Sequence, residues 1–173
     1  MAPVPAPTPV IDIAQGIAAL EEDLPRVLRA LDKGSLEELG WTRPNKTTLL
    51  IPMEGTANGV TDQFLLRLGF AAYSKWPPSA QFVNPETLAY SHPTDQHHVP
   101  QLTSPECYTH AKYQAGNGRQ MQLICCSATL EFYEMAHPVE PEHLWNEKNT
   151  FYTTVQAIQK AIASSYMGRF PKL

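Results

Sequence analysis

Phe64–Val83 reads FLLRLGFAAYSKWPPSAQFV, and the chain's architecture is legible outward from it. Gln63 to Phe70 is a short apolar run of strand character, and Ala80 to Val83 is another. Between them, Tyr73 to Pro78 ends in Pro77-Pro78, whose fixed φ and restriction of the preceding residue impose an extended crossing. Upstream, Thr47 to Met53 is a third run, separated from Gln63 by EGTANGVTD, where Gly55, Asn58 and Gly59 offer positive φ. This spacing predicts an antiparallel hairpin extended to a three-stranded meander.

Ahead of the meander, from Val10 to about Lys33, Ile13, Ile17, Leu20, Leu24, Val27, Leu28 and Leu31 recur at three- and four-residue spacing, one helical face. Pro25 interrupts it, giving either a kink or a fresh helix capped by Asp23. Gly34 ends the helix. Near the other end, Asn149 or Thr150 caps a helix with Phe151, Val155, Ile158 and Ile162 on one stripe, ending near Gly168. Helices flanking an antiparallel meander indicate an α+β fold. Met1 to Pro9, MAPVPAPTP, alternates proline with small residues and reads as a disordered leader, leaving residues 10–173 as one domain.

With 173 residues, 43% hydrophobic and 17% charged, the composition is globular, and no apolar run approaches the roughly 20 residues of a membrane span. A formal net charge of −4 with 13 Lys and Arg argues against nucleic acid as a partner. Three cysteines, two adjacent, suit reduced thiols better than a disulfide framework, and no signal peptide is read, so the cytoplasm is expected.

Leu123 to His137, LICCSATLEFYEMAH, is the candidate site. An apolar strand delivers Cys125 and Cys126 to a run of small residues, a carboxylate, aromatics and a histidine, where a thiol is partly accessible beside polar groups. Both thiols filling a core is the competing reading. Because side chains alternate along a strand, the two cysteines point to opposite sides, and only one is the nucleophile. His137 is positioned in sequence to lower the thiol pKa, polarise a carbonyl or deprotonate an amine, or simply to end a turn before Pro138. Glu131 is placed to orient that imidazole or to take a proton, or is a solvated carboxylate. Tyr133 and Trp145 read as packing residues. Residues 84–118, rich in Pro, His, Thr and Gly, read as a long irregular loop containing His92, His97, His98, Cys107 and His110. Its Cys107-x-x-His110 spacing would give zinc two ligands out of the four a structural site needs, against a reading of surface histidines.

The order of helix, meander, Pro-Pro crossing, long loop, cysteine, tryptophan and closing helix resembles the ubiquitin-conjugating enzyme fold. FLLRLGFAAYSKWPPSAQFV resembles that family's strand, proline-rich crossing and strand; LICC resembles its Ile-Cys-Leu nucleophile segment; Trp145 precedes the last helix as the family's tryptophan does. ICCSATLEFYEMAH is similar to bacterial members, found with operons encoding a ubiquitin-like modifier and associated with antiviral defence. The resemblance covers about Val10 to Phe170 and selects Cys125 over the alternative Cys126. No His-Pro-Asn triplet precedes the cysteine; His92-Pro93 is followed by Thr94. The resemblance implies an enzyme that accepts a ubiquitin-like protein from an activating enzyme as a Cys125 thioester and transfers it to a lysine amine, with His137 and Glu131 assisting. No cofactor or metal is implied, and the leading helix would meet the activating enzyme. Two other readings remain: a non-catalytic module of the same fold that binds a ubiquitin-like protein, and a small thiol hydrolase pairing Cys125 with His110 or His137.

Overall fold

The computed structural model describes residues 8–116, 118–135 and 139–173. Helix α1 runs from Ile13 to Ala30, capped by Asp12, whose side chain accepts from Gln15 N–H at 3.1 Å. Pro25 lies inside this single helix. Its side faces solvent, so water can satisfy the carbonyl it leaves unpaired. Asp23 therefore caps nothing. The buried stripe is Gly16, Leu20, Asp23, Leu24 and Val27, whereas Ile13 is exposed. The stripe is displaced from the expected one because Gly16 closes directly onto the next layer. A Cβ built there would stand 1.8 Å from the Phe70 carbonyl oxygen.

Strands β1 (Thr42–Asn45), β2 (Thr48–Ala57), β3 (Val60–Gly69) and β4 (Ser79–Phe82) form one antiparallel sheet in that order. β2 and β3 pair without slippage from Thr48↔Gly69 to Ala57↔Val60. Asn58 and Gly59 make the turn at φ 53° and 77°, the conformation that continues the twist of a tight hairpin. The edge strand β1 was not anticipated, since Pro44 weakens strand character and is tolerated there only because the outer edge needs no N–H.

A second antiparallel sheet corrects the reading of residues 84–118. β5 (Pro100–Ser104) and β6 (Cys107–Gln114) form a hairpin within the expected loop, and β7 (Gln120–Cys125) pairs with β6. The polar residues of β6 concealed a period of two: Cys107, Thr109 and Ala111 are buried while the residues between them reach the surface. Helix α2 (Leu130–Glu134) follows, then α3 (Phe151–Ser165) and strand β8 (Tyr166–Arg169). The order in the second sheet is β7-β6-β5-β8. The closing helix thus ends at Ser165, before Gly168, because Tyr166 turns into β8 and pairs with Leu102.

One core joins both sheets and both long helices, with Leu20, Ile51, Leu66, Phe82, Leu102, Ile124, Phe151 and Ile158 in it. Thr150 caps α3 through Tyr152 N–H, and Phe151 then packs edge-on against Phe70. Arg169 secures β8 by donating to Asp62 and to the carbonyls of Gln63 and His97 while lying 4.5 Å over the Phe64 ring. Among the described residues no helix is long and apolar enough to cross a membrane. The expected leader lies outside them as far as residue 7.

Candidate active site

The last residue of β7 is Cys125, directly opposite Tyr108 of β6. Cys125 is half-buried, and Cys126 is buried. They serve different compartments, as alternation predicts. Cys126 belongs to the main core, whereas Cys125 packs on a smaller cluster of Ala72, Trp76, Leu130, Phe132, Tyr133 and Val139. Burial raises the Cys125 thiol pKa above its ordinary value, and the neighbouring Cys126 raises it further. Cys126 is paired with buried Cys107. Their hydrogen bond, with Cys107 as donor, favours the Cys126 thiolate, and the Ala128 N–H acts in the same direction. Cys107 is correspondingly held protonated by that bond and by burial.

After β7 the chain turns through Cys126–Thr129, and side-chain hydroxyls hold this turn at almost every carbonyl. Thr129 Oγ1 donates to the carbonyls of Ile124 and Cys126, each at 2.9 Å. Tyr133 Oη donates to Ser127 O at 2.8 Å, and Thr154 Oγ1, from α3, donates to Ala128 O at 2.7 Å. A thiol mounted beside a turn fixed in this way keeps its direction without help from a ligand. Trp145 completes the frame: its backbone N–H donates to Tyr133 Oη at 2.8 Å and its Nε1 to Ser74 O at 2.9 Å.

Glu131 is buried at the start of α2, and its Oε1 accepts from Ala80 N–H at 2.6 Å. Burial pushes its pKa up to about 7, opposed by the Ala80 amide and the Ser79 hydroxyl. The carboxyl caps the unpaired edge of β4; it is not a solvated side chain. Beside it, Gln122 of β7 imitates a strand partner, accepting from Phe82 N–H at 2.7 Å and donating to Phe82 O at 2.8 Å. Leu130 N–H donates to Pro78 O at 3.1 Å. The Pro-Pro crossing, β4, β7 and α2 are therefore joined around Cys125.

His137 lies outside the described residues. Of the other histidines, His110 shares the outer face of β6 with Tyr108, its ring 5.0 Å from that of Tyr108, and is two residue pairs along the ladder from Cys125. Burial lowers its pKa. His97 and His98 stack at 4.1 Å in the connection before β5, and His92 lines an open cleft with Lys112. Cys107 and His110, three apart on a strand, point to opposite faces, one into the core and one outward. Among the described residues no group of three or more His, Cys, Asp or Glu is placed to hold a metal ion.

Trp76 is a member of the cluster that sequence reading did not single out. Its ring is 5.5 Å from that of Tyr133, and its Nε1 is buried with no hydrogen-bond partner among the described residues. Only a buried indole beside polar backbone, invisible in one dimension, would have drawn attention to it. Compared with protein family models, characterised proteins and solved structures, the chain matches none of them.

Proposed function

We propose that this chain is an acyl carrier of ubiquitin-conjugating-enzyme-like fold, working in the cytoplasm. An activating enzyme delivers the carboxyl-terminal glycine of a ubiquitin-like protein to Cys125 as a thioester, and a lysine amine of a target protein then receives it. The observation that carries the reading is the seat of Cys125: a half-buried thiol at the end of β7, followed by a turn whose carbonyls are held by Thr129, Tyr133 and Thr154.

The chemistry suits storage followed by transfer. The Cys125 thiolate adds to the incoming thioester carbon, the carbonyl electron pair moves to oxygen, and collapse expels the donor thiolate. A thiol whose pKa is raised is a poorer leaving group once acylated, which slows release of the acyl group to water and to amine alike.

The test combines the chain with a ubiquitin-like protein, its activating enzyme and ATP, and resolves the products on a non-reducing gel. A thiol-sensitive adduct is expected, lost in Cys125→Ala and converted to a thiol-resistant ester in Cys125→Ser. An adduct lost only in Cys126→Ser would move the reaction to the neighbouring sulfur. Partner binding retained by Cys125→Ala, without any adduct in the wild type, would establish a binding module instead.

A further inference from the structure

Cys107 and Cys126, both in the main core, are two thiols that acyl transfer at Cys125 does not use. Tyr108 of β6 stands opposite Cys125 of β7, so the next step along the antiparallel ladder sets Cys107 against Cys126, on the face opposite to that of Cys125. Opposed residues of such a ladder hold their Cα atoms about 4.5–5.5 Å apart, inside the range of about 4.4–6.8 Å that a disulfide spans. The two sulfurs already meet through the hydrogen bond that Cys107 donates. Their roles differ. That bond and the Ala128 N–H favour the Cys126 thiolate, the form that oxidants attack, while Cys107 is kept as the thiol. Access comes from the side of α3: Cys107 is 2% exposed and Cys126 5%, and Cys107 lines a surface cleft of about 320 Å³ with Glu106, Thr153 and Lys160. A molecule of hydrogen peroxide, comparable to two waters of roughly 30 Å³ each, is small enough to enter it.

We propose that Cys126 is a site of oxidation by peroxide and Cys107 its resolving partner, the two closing a reversible disulfide between β6 and the turn that follows Cys125. In the first step the Cys126 sulfur attacks one peroxide oxygen; an S–O bond forms, the O–O bond breaks, and the departing hydroxide takes a proton from solvent to become water. The Cys107 sulfur then attacks the sulfur of the Cys126 sulfenic acid. An S–S bond forms as the S–O bond breaks, and the hydroxyl leaves with the Cys107 proton as a second water. Two thiols have lost two electrons and the peroxide has gained them, and a dithiol reductant returns the pair. The inference goes beyond the acyl-carrier reading and does not depend on it.

The test treats folded wild type, Cys107→Ser, Cys125→Ser and Cys126→Ser with a series of hydrogen peroxide concentrations, alkylates the remaining thiols in urea, and maps each sulfur by tandem mass spectrometry. Wild type and Cys125→Ser are expected to lose two hydrogens, about 2 Da, in a bridge joining Cys107 to Cys126, at a rate proportional to peroxide concentration and reversed by dithiothreitol. Cys126→Ser should form no bridge. Cys107→Ser keeps a hydroxyl donor beside Cys126 and should stop at its sulfenic acid, trapped by dimedone as the chain unfolds in urea. Cys107 and Cys126 both alkylated in full after a peroxide treatment that oxidises Cys125 would overturn the inference, as would a wild-type bridge that includes Cys125. A bridging rate independent of peroxide concentration would mean that the sulfurs react only once the fold opens, and would overturn it equally. Should a serine variant fail to fold, the map and the concentration series of the wild type decide.

Discussion

At Glu131, a carboxyl 3% exposed and bonded to Ala80 N–H has its pKa pushed from 4.5 to about 7 by burial. A carboxyl whose pKa rises on folding stabilises the fold fully below the unfolded value, and that contribution disappears as pH climbs through the folded one. Wild-type stability should therefore fall relative to Glu131→Gln between pH 4.5 and 7, by up to about 3 kcal/mol, in urea melts taken across that range. Parallel stability curves for the two proteins would contradict the buried ionisable carboxyl. At Cys125 the raised thiol pKa predicts that loading still increases about tenfold per pH unit through pH 8, since the thiolate fraction limits the rate. A plateau below pH 8 in single-turnover loading would point to a thiol of lowered pKa and contradict the burial. Cys125, Cys126 and Glu131 were all visible in the sequence as residues. Which thiol packs on a separate cluster and what the carboxyl holds depended on Trp76 and Ala80, distant in the chain.

At the level of elements, β4 has one strand neighbour, and its other edge is closed by side chains from β7 and α2. Gln122→Leu keeps the volume and removes both amide partners of Phe82, leaving a buried N–H and C=O unpaired. A loss of about 2–4 kcal/mol is expected in urea unfolding, from two orphaned groups. In the other direction across the core, Gly16→Ala places a methyl into the Phe70 carbonyl and should displace α1, destabilising by about 1–3 kcal/mol. A neutral result in thermal unfolding would mean that α1 is free to slide. The hairpin of β2 and β3 was readable because its turn demands Asn58-Gly59 and its alternation is strong. The hairpin of β5 and β6 was obscured because polar residues such as Gln101, Thr103, Glu106, His110 and Lys112 outnumber apolar ones there, and burial of Cys107 and Thr109 depends on α3 and β5 packing against them.

Across the whole molecule, Tyr73 ties three parts of the fold together. Its hydroxyl donates to Asp23 of α1 at 2.5 Å and accepts from Phe151 N–H, at the start of α3, at 2.7 Å. Among the described residues, Tyr73→Phe leaves the buried Asp23 carboxylate with only its 3.4 Å contact to Arg26 and the Phe151 amide without an acceptor. A loss of about 2–4 kcal/mol should follow, with faster amide exchange at the first turn of α3 as the specific sign. An unchanged exchange rate at Phe151 would show that the helix is anchored elsewhere. The sequence by itself determined the α+β class, the leading and closing helices, the Asn-Gly hairpin and the candidate thiol, because periodicity, caps and turn chemistry are local constraints. Only the tertiary structure decided the second sheet, the shifted stripe of α1, the burial of Glu131 and the unpaired Trp76 indole. Each of these depends on which polar group a distant segment brings within hydrogen-bonding reach, and no local pattern encodes that.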